Sequence, residues 1–280
     1  MILEKAINNA SMILKKNNIK TAQLDSEILM SLIMKKSRKF VLLNLDSSLE
    51  DNKLNNFKKL IKLRSTGKPI AYLTGSKNFW KYDFKINSNV LVPRPDSEII
   101  VEEALKVIKN KNKLHILDIG IGSGCILLSI LSEKKNFKGV GVDVSKKSLD
   151  LCDINAENLG LKKRVKLFKS DVDNFHYGKY DLIVSNPPYI SKLKLKYLDK
   201  DVIDFEPKLA LNGGLDGLSE IRKVINKSSE LIKKNGKLFL EIGFDQKNKV
   251  KKILKNKGFF INKVIKDLAN NDRCIISTKI

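Results

Sequence analysis

Histidine is almost missing from this chain: His115 and His176 are the only two. Cysteine is scarce as well. Cys125, Cys152 and Cys274 are far apart, odd in number and form no CxxC pair. Such a set supplies neither a zinc cluster nor a disulfide framework, so no metal is expected and the chain reads as cytoplasmic. The 15 glycines and 6 prolines are scattered, which excludes collagen-like and low-complexity classes. Long apolar runs are absent too. The most apolar stretch, Ile116–Leu131, is broken by Asp118 and glycines, whereas a membrane span needs about 20 apolar residues. Glu4 and Lys5 stand where an export signal would turn apolar, so no such signal is expected.

Apolar residues make up 42% of the 280 positions, enough for a packed core and for two domains. The net charge is +23, which invites a nucleic-acid partner. Yet 48 of the 54 basic residues are Lys and only 6 are Arg, the residue suited to bidentate contacts. The charge is also spread along the chain, with +10 in residues 1–90 and +13 in residues 91–280. Lys together with many Asn and Ile fits the codon bias of an A+T-rich genome. An acidic partner fits the same charge, and the two readings can coexist.

Residues 1–66 contain no Gly or Pro, and apolar positions recur at helical spacing: Leu3, Ile7, Leu14, then Leu24, Ile28, Leu32, then Leu54, Phe57, Ile61. A bundle of about four helices is expected, within a helical domain over 1–70. Gly67 and Pro69 close it. From Ala71 to Val92 the pattern becomes aromatic and β-branched, which predicts a hairpin linking two domains over 71–92. Pro93-Arg94-Pro95-Asp96-Ser97-Glu98 follows, and Asp96 or Ser97 is expected to cap a helix over 98–109. Beyond residue 114 strand and helix patterns alternate, with strands expected near 114–119, 139–144, 165–169, 181–185, 237–242, 259–266 and 273–278. Residues 93–280 are therefore read as an α/β domain with a doubly wound, mostly parallel sheet.

Two motifs carry chemistry. The first is Asp118-Ile119-Gly120-Ile121-Gly122-Ser123-Gly124, a strand and a glycine turn opening a helix. Glycines let the backbone approach a ligand, and the helix start favours an anionic group. Asp143 ends the next strand, where a carboxylate can accept both hydroxyls of a ribose. The glycines run GxGxG rather than GxGxxG, which argues against a nicotinamide nucleotide. Asp118, just before the loop, suits an ammonium such as that of S-adenosylmethionine. Asp171 and Val172 follow the third strand. They are expected to bond the adenine amino group and pack on its ring, although Asp171 also suits a plain turn cap.

The second motif is Asn186-Pro187-Pro188-Tyr189, leaving the fourth strand. Methyl transfer to a planar NH2 group requires hydrogen-bond acceptors on its two N–H groups, which orient it and favour charge developing on nitrogen. The Asn186 side-chain oxygen and the Pro187 carbonyl are those acceptors. Proline keeps the stretch out of a regular ladder, and Tyr189 is expected to pack over the planar group. The acceptor is a glutamine side chain, adenine N6 or guanine N2. No Ser–His–Asp set, Walker loop or pair of catalytic carboxylates is evident. His115 and His176 read as structural and surface residues.

The chain resembles the HemK/PrmC family, the peptide-chain release factor glutamine N5-methyltransferases. The likeness rests on Pro69–Gly75, Phe79-Trp80, Leu91–Glu98, Ile116–Gly124, Val184–Ile190 and Phe205-Glu206-Pro207. It implies a helical N-terminal domain, a hairpin linker and a class I, Rossmann-like methyltransferase domain. It also implies that Gly120–Gly124, Asp143, Val172 and Asn186 bind S-adenosylmethionine, and that Asn186–Tyr189 hold a glutamine of the Gly-Gly-Gln loop of class I release factors. Val172 departs from the aromatic residue frequent at that position. The same resemblance gives residues 1–66 a docking role in translation termination. It sets Arg94, Asp96 and Glu98 at the active-site mouth and Glu206 as a brace. A monomer with no stable nucleic-acid or membrane partner is expected. The rivals are an adenine-N6 or guanine-N2 methyltransferase on DNA or RNA, and a basic RNA- or ribosome-binding module with a relict methyltransferase fold.

Overall fold

The computed structural model describes residues 1–280, which form two compact units. One comprises Met1–Ser76 with Asp199–Phe205, the other Lys77–Leu198 with Glu206–Ile280.

The first unit is helical: α1 (Leu3–Lys16), α2 (Ala22–Met34), α3 (Arg38–Leu43), α4 (Asp51–Ser65) and α5 (Ile70–Thr74). Helical spacing buries Leu3, Ala6, Ile7, Ala10 and Leu14 of α1 on one face. They share a core with Leu29, Met30, Val41, Phe57 and Ile61. Lys35 turns left-handed to stop α2, and the Ser37 hydroxyl caps α3 by accepting from the Phe40 N–H. A buried ion pair ties α2 to α4, with Arg64 Nε 2.8 Å from Asp25 Oδ2. The same guanidinium donates to the carbonyls of Gly67 and Lys68, fixing the chain as it leaves α4.

The hairpin expected over 71–92 is narrower than its residue pattern. Ala71–Thr74 lie in α5, because Ile70 and Leu73 pack on the helical core and Gly75, at φ 73°, stops the helix. Only β1 (Ser76–Phe79) and β2 (Tyr82–Lys85) pair. The Asn155 amide then grips both the N–H and the carbonyl of Lys85.

In chain order the remaining elements are α6 (Glu98–Val107), β3 (His115–Ile119), α7 (Cys125–Glu133), β4 (Lys138–Asp143), α8 (Lys146–Asn158), β5 (Val165–Lys169) and β6 (Tyr180–Ser185). They continue with α9 (Lys200–Phe205, in the helical unit), α10 (Ser219–Leu231), β7 (Ile232–Glu241), α11 (Lys247–Asn256), β8 (Phe259–Lys266) and β9 (Asp272–Lys279). The seven strands run in the order β5-β4-β3-β6-β7-β9-β8. β3 through β7 pair in parallel, and β9 runs antiparallel to both β7 and β8. β7 starts five residues before the expected Lys237, because Ile232 pairs with Tyr180 across a register shift.

The core is built from alternate strand residues such as Leu117, Ile119, Val142, Ile183, Leu238 and Leu240. From β3 the chain moves outward through β4 and β5, then returns to place β6 on the other side of β3. The strand order reverses there, so a crevice opens at the carboxyl ends of β3 and β6. Both chemistry-bearing motifs leave those ends.

Candidate active site

The glycine loop is held by its neighbour strand. Gly120 N–H and Ile121 N–H both donate to the Val142 carbonyl, at 2.9 and 3.1 Å. Gly120, Gly122 and Gly124 take φ of 76°, 55° and 83°, a left-handed region that side chains resist. Asp143, at the end of β4, accepts the Gly122 N–H at 3.0 Å and the Ser145 N–H at 2.8 Å. Its carboxylate therefore ties the glycine loop to the end of β4. Burial raises its pKa, against the pull of those N–H donors.

The crevice holds a cavity of about 640 Å³, within the range of small-molecule sites. Gly120, Ile121, Gly122, Ser123, Asp143, Asp171, Val172, Asn186, Pro187 and Pro188 line it. Three residues picked from the sequence do not: Asp118, Gly124 and Tyr189 stand behind the wall. Asp118 is buried beneath the loop, where desolvation raises its carboxyl to about 7 despite the Leu127 N–H it accepts. Asp171 caps the turn that follows β5 by accepting the Asp173 N–H at 3.0 Å, and still lines the cavity. Val172 beside it is 9% exposed.

At the other end, Asn186 leaves β6 and donates from Nδ2 to Ser97 Oγ at 3.0 Å. Ser97 does not cap α6 as expected. Its hydroxyl donates instead to Glu241 Oε2 at 2.6 Å, at the end of β7. Tyr189 sits below the turn rather than over the cavity, because its hydroxyl lies 3.3 Å from Glu241 Oε1 and 3.2 Å from Arg273 NH1. Asp267 holds that guanidinium at 2.8 Å. Burial raises the Glu241 carboxyl to about 7, opposed by Ser97, Arg273 and Tyr189, and pushes the Tyr189 hydroxyl up. Ser97, Glu241 and Arg273 escaped the sequence reading. The one signal was Glu241 itself, a carboxylate closing the apolar run Leu238-Phe239-Leu240.

Arg94 lines the cavity and pairs with buried Glu206, which also accepts the Val92 N–H. Asp96 and Glu98 are not at the cavity. Asp96 faces Arg273 at 3.8 Å, and Glu98 accepts the Trp80 N–H at 2.9 Å. Gln246 braces the tetrad from behind, with Nε2 donating to the carbonyls of Tyr189 and Gly217.

A mostly parallel sheet with this glycine loop, an acid closing the next strand and an Asn-Pro-Pro-Tyr turn in the same crevice defines a Rossmann-like methyltransferase. The fold is shared by a solved methyltransferase from Pyrococcus furiosus, at 22% identity and a TM-score of 0.53 over 80% of this chain and 98% of that one. Family models match at residues 5–75, the PrmC N-terminal domain, and at residues 97–206, the methyltransferase small domain. The release factor glutamine methyltransferase of Clostridium botulinum is 38% identical over 100% of both chains. That of Clostridium acetobutylicum is 36% identical over 100% of this chain and 99% of its own. This chain belongs to the release factor glutamine methyltransferase family. S-adenosylmethionine, the methyl donor, fits a cavity of this size lined by the glycine loop, Asp143, Asp171 and Val172.

Proposed function

We propose that this protein transfers a methyl group from S-adenosylmethionine to the side-chain nitrogen of the glutamine in the Gly-Gly-Gln motif of class I peptide chain release factors. The products are N5-methylglutamine and S-adenosylhomocysteine, and the reaction belongs to the cytoplasm. The observation that carries the reading is the Asn186–Pro188 turn, which lines the same cavity as the glycine loop and Asp143. The full-length likeness to named release factor glutamine methyltransferases supports the choice of substrate.

When bound, the donor supplies a methyl carbon on a sulfonium. The chain supplies orientation and electrostatics. Asn186 Oδ1 and the Pro187 carbonyl accept the two N–H groups of a planar amide, fix its plane and favour positive charge on its nitrogen. As the new N–C bond forms, the carbon–sulfur bond breaks with its electron pair staying on sulfur, and one of those protons is released to solvent. Pro187 and Pro188 contribute no N–H, so nothing in the turn competes for the two acceptors.

The test incubates a class I release factor with the full chain and methyl-labelled S-adenosylmethionine, followed by peptide mass spectrometry. The expected result is one added methyl on the Gly-Gly-Gln glutamine, lost with Asn186→Ala. Donor binding without any gain on the factor, together with label in DNA or RNA oligonucleotides, would replace this substrate with adenine N6 or guanine N2.

A further inference from the structure

Oxygen and nitrogen of an asparagine amide have nearly the same shape, so only hydrogen bonds decide which one faces a neighbour. The methyl acceptor brings two N–H donors. An Asn186 turned the wrong way would meet them with donors of its own. The orientation of this one amide therefore separates a competent site from a blocked one.

The protons behind Asn186 run in one direction. Arg273 has only donors and gives one to the Tyr189 oxygen at 3.2 Å. The Tyr189 proton is thereby directed at Glu241 Oε1, 3.3 Å away. On the other side, with Glu241 in the carboxylate form that prevails above about pH 7, both its oxygens accept and the single Ser97 hydroxyl proton goes to Oε2 at 2.6 Å. Ser97 Oγ then has only lone pairs left for Asn186, so the group facing it is the NH2, at 3.0 Å. Asn186 Oδ1 is left for the cavity. Ser97 and Glu241 are 3% and 2% exposed, so water does not relax the constraint.

We propose that Glu241 and Ser97 are positioning residues whose fixed proton direction sets the Asn186 amide with its oxygen toward the methyl acceptor. This rests on the reading of the site as a methyltransferase acting on a planar NH2 group. It adds a cause for the site's preference for an acceptor that offers two N–H donors.

The test compares Ser97→Ala and Ser97→Thr in the full chain. The measurements are kcat and KM for the release factor, donor affinity by calorimetry, and melting temperature. Ser97→Ala is expected to lower kcat by about ten- to a hundredfold, the scale of one lost hydrogen bond to an oriented group. Donor affinity and KM should move less than about threefold. Ser97→Thr keeps the hydroxyl proton and should recover most of the rate. If the added methyl lowers the melting temperature of that variant, Glu241→Gln takes its place, and a lower kcat with unchanged donor affinity supports the assignment. A Ser97→Ala kcat within twofold of the unsubstituted enzyme overturns it, as does an unchanged kcat in Glu241→Gln. An unsubstituted enzyme that binds donor but methylates neither the factor nor any nucleic acid overturns the proposed function, and this inference with it.

Discussion

At the scale of single residues, the three loop glycines are left-handed for different reasons. A Cβ on Gly120 or Gly122 would meet nothing within 4 Å, because both face the cavity. A Cβ on Gly124 would lie 2.6 Å from Cys152 Sγ and 2.8 Å from Leu128 Cδ1, two fully buried side chains. The same substitution should therefore fail in two ways. Gly124→Ala adds a left-handed strain of about 1–2 kcal/mol to an overpacking cost of about 1–3 kcal/mol, and should lower the melting temperature clearly. Gly122→Ala has the strain but no clash. Its methyl projects into the open cavity, so its main effect is expected to be a loss of donor affinity on the order of tenfold or more. Thermal melts with and without donor separate the two. Equal melting temperatures for both variants would contradict the packing argument.

At the scale of elements, the helical unit is pinned by one buried pair. Arg64 and Asp25 lie 39 residues apart in sequence, and Arg64 also satisfies two carbonyls beyond α4. Removing one partner leaves a buried charge and unpaired carbonyls, a loss of about 3–5 kcal/mol. Arg64→Ala should speed hydrogen exchange of α2 and α4 amides while those of β3 and β6 keep their protection. Uniform loss across both units would show that they unfold as one. Legibility divides along the same lines. Elements written in local spacing could be read: the amphipathic α1, the glycine turn with Asp143, the tetrad after β6. The end of the hairpin pattern at α5 could not, because Tyr72 and Leu73 look alike for strand and helix until the helical core claims Leu73. Ser97 read as a helix cap for the same reason. Its true partner, Glu241, is 144 residues away, and no local pattern announces a contact of that span. The membership of Asp199–Phe205 in the helical unit is equally invisible to spacing, since it depends on tertiary packing alone.

At the scale of the molecule, two buried carboxyls compete with a +23 net charge for control of the pH response. Asp118 and Glu241 are each raised to about 7, chiefly by desolvation. Each holds its proton more tightly folded than unfolded. Their contribution to stability is full below the ordinary carboxylate range, is lost as pH rises toward 7, and is gone above it, with a slope of about 1.4 kcal/mol per pH unit for each group titrating alone. The carboxylates held low by partners, such as Asp216 by Arg222 and Asp267 by the Asn271 N–H and Arg273, give the opposite slope only in more acidic solution. Lysines supply 48 of the 54 basic groups. Their mutual repulsion is spread over the surface and screened within about 8 Å at physiological salt, whereas the buried carboxyls are not. The buried pair should win between pH 5 and pH 7. Stability measured by urea denaturation at physiological salt should fall across that window, and Asp118→Asn should flatten the curve. Glu241→Gln should flatten it by a similar amount, since the two groups sit at the ends of different strands and titrate from separate burial. A stability that rises through the window, or a slope untouched by both substitutions, would mean that surface charge rather than the floor of the active site governs how this fold answers to pH.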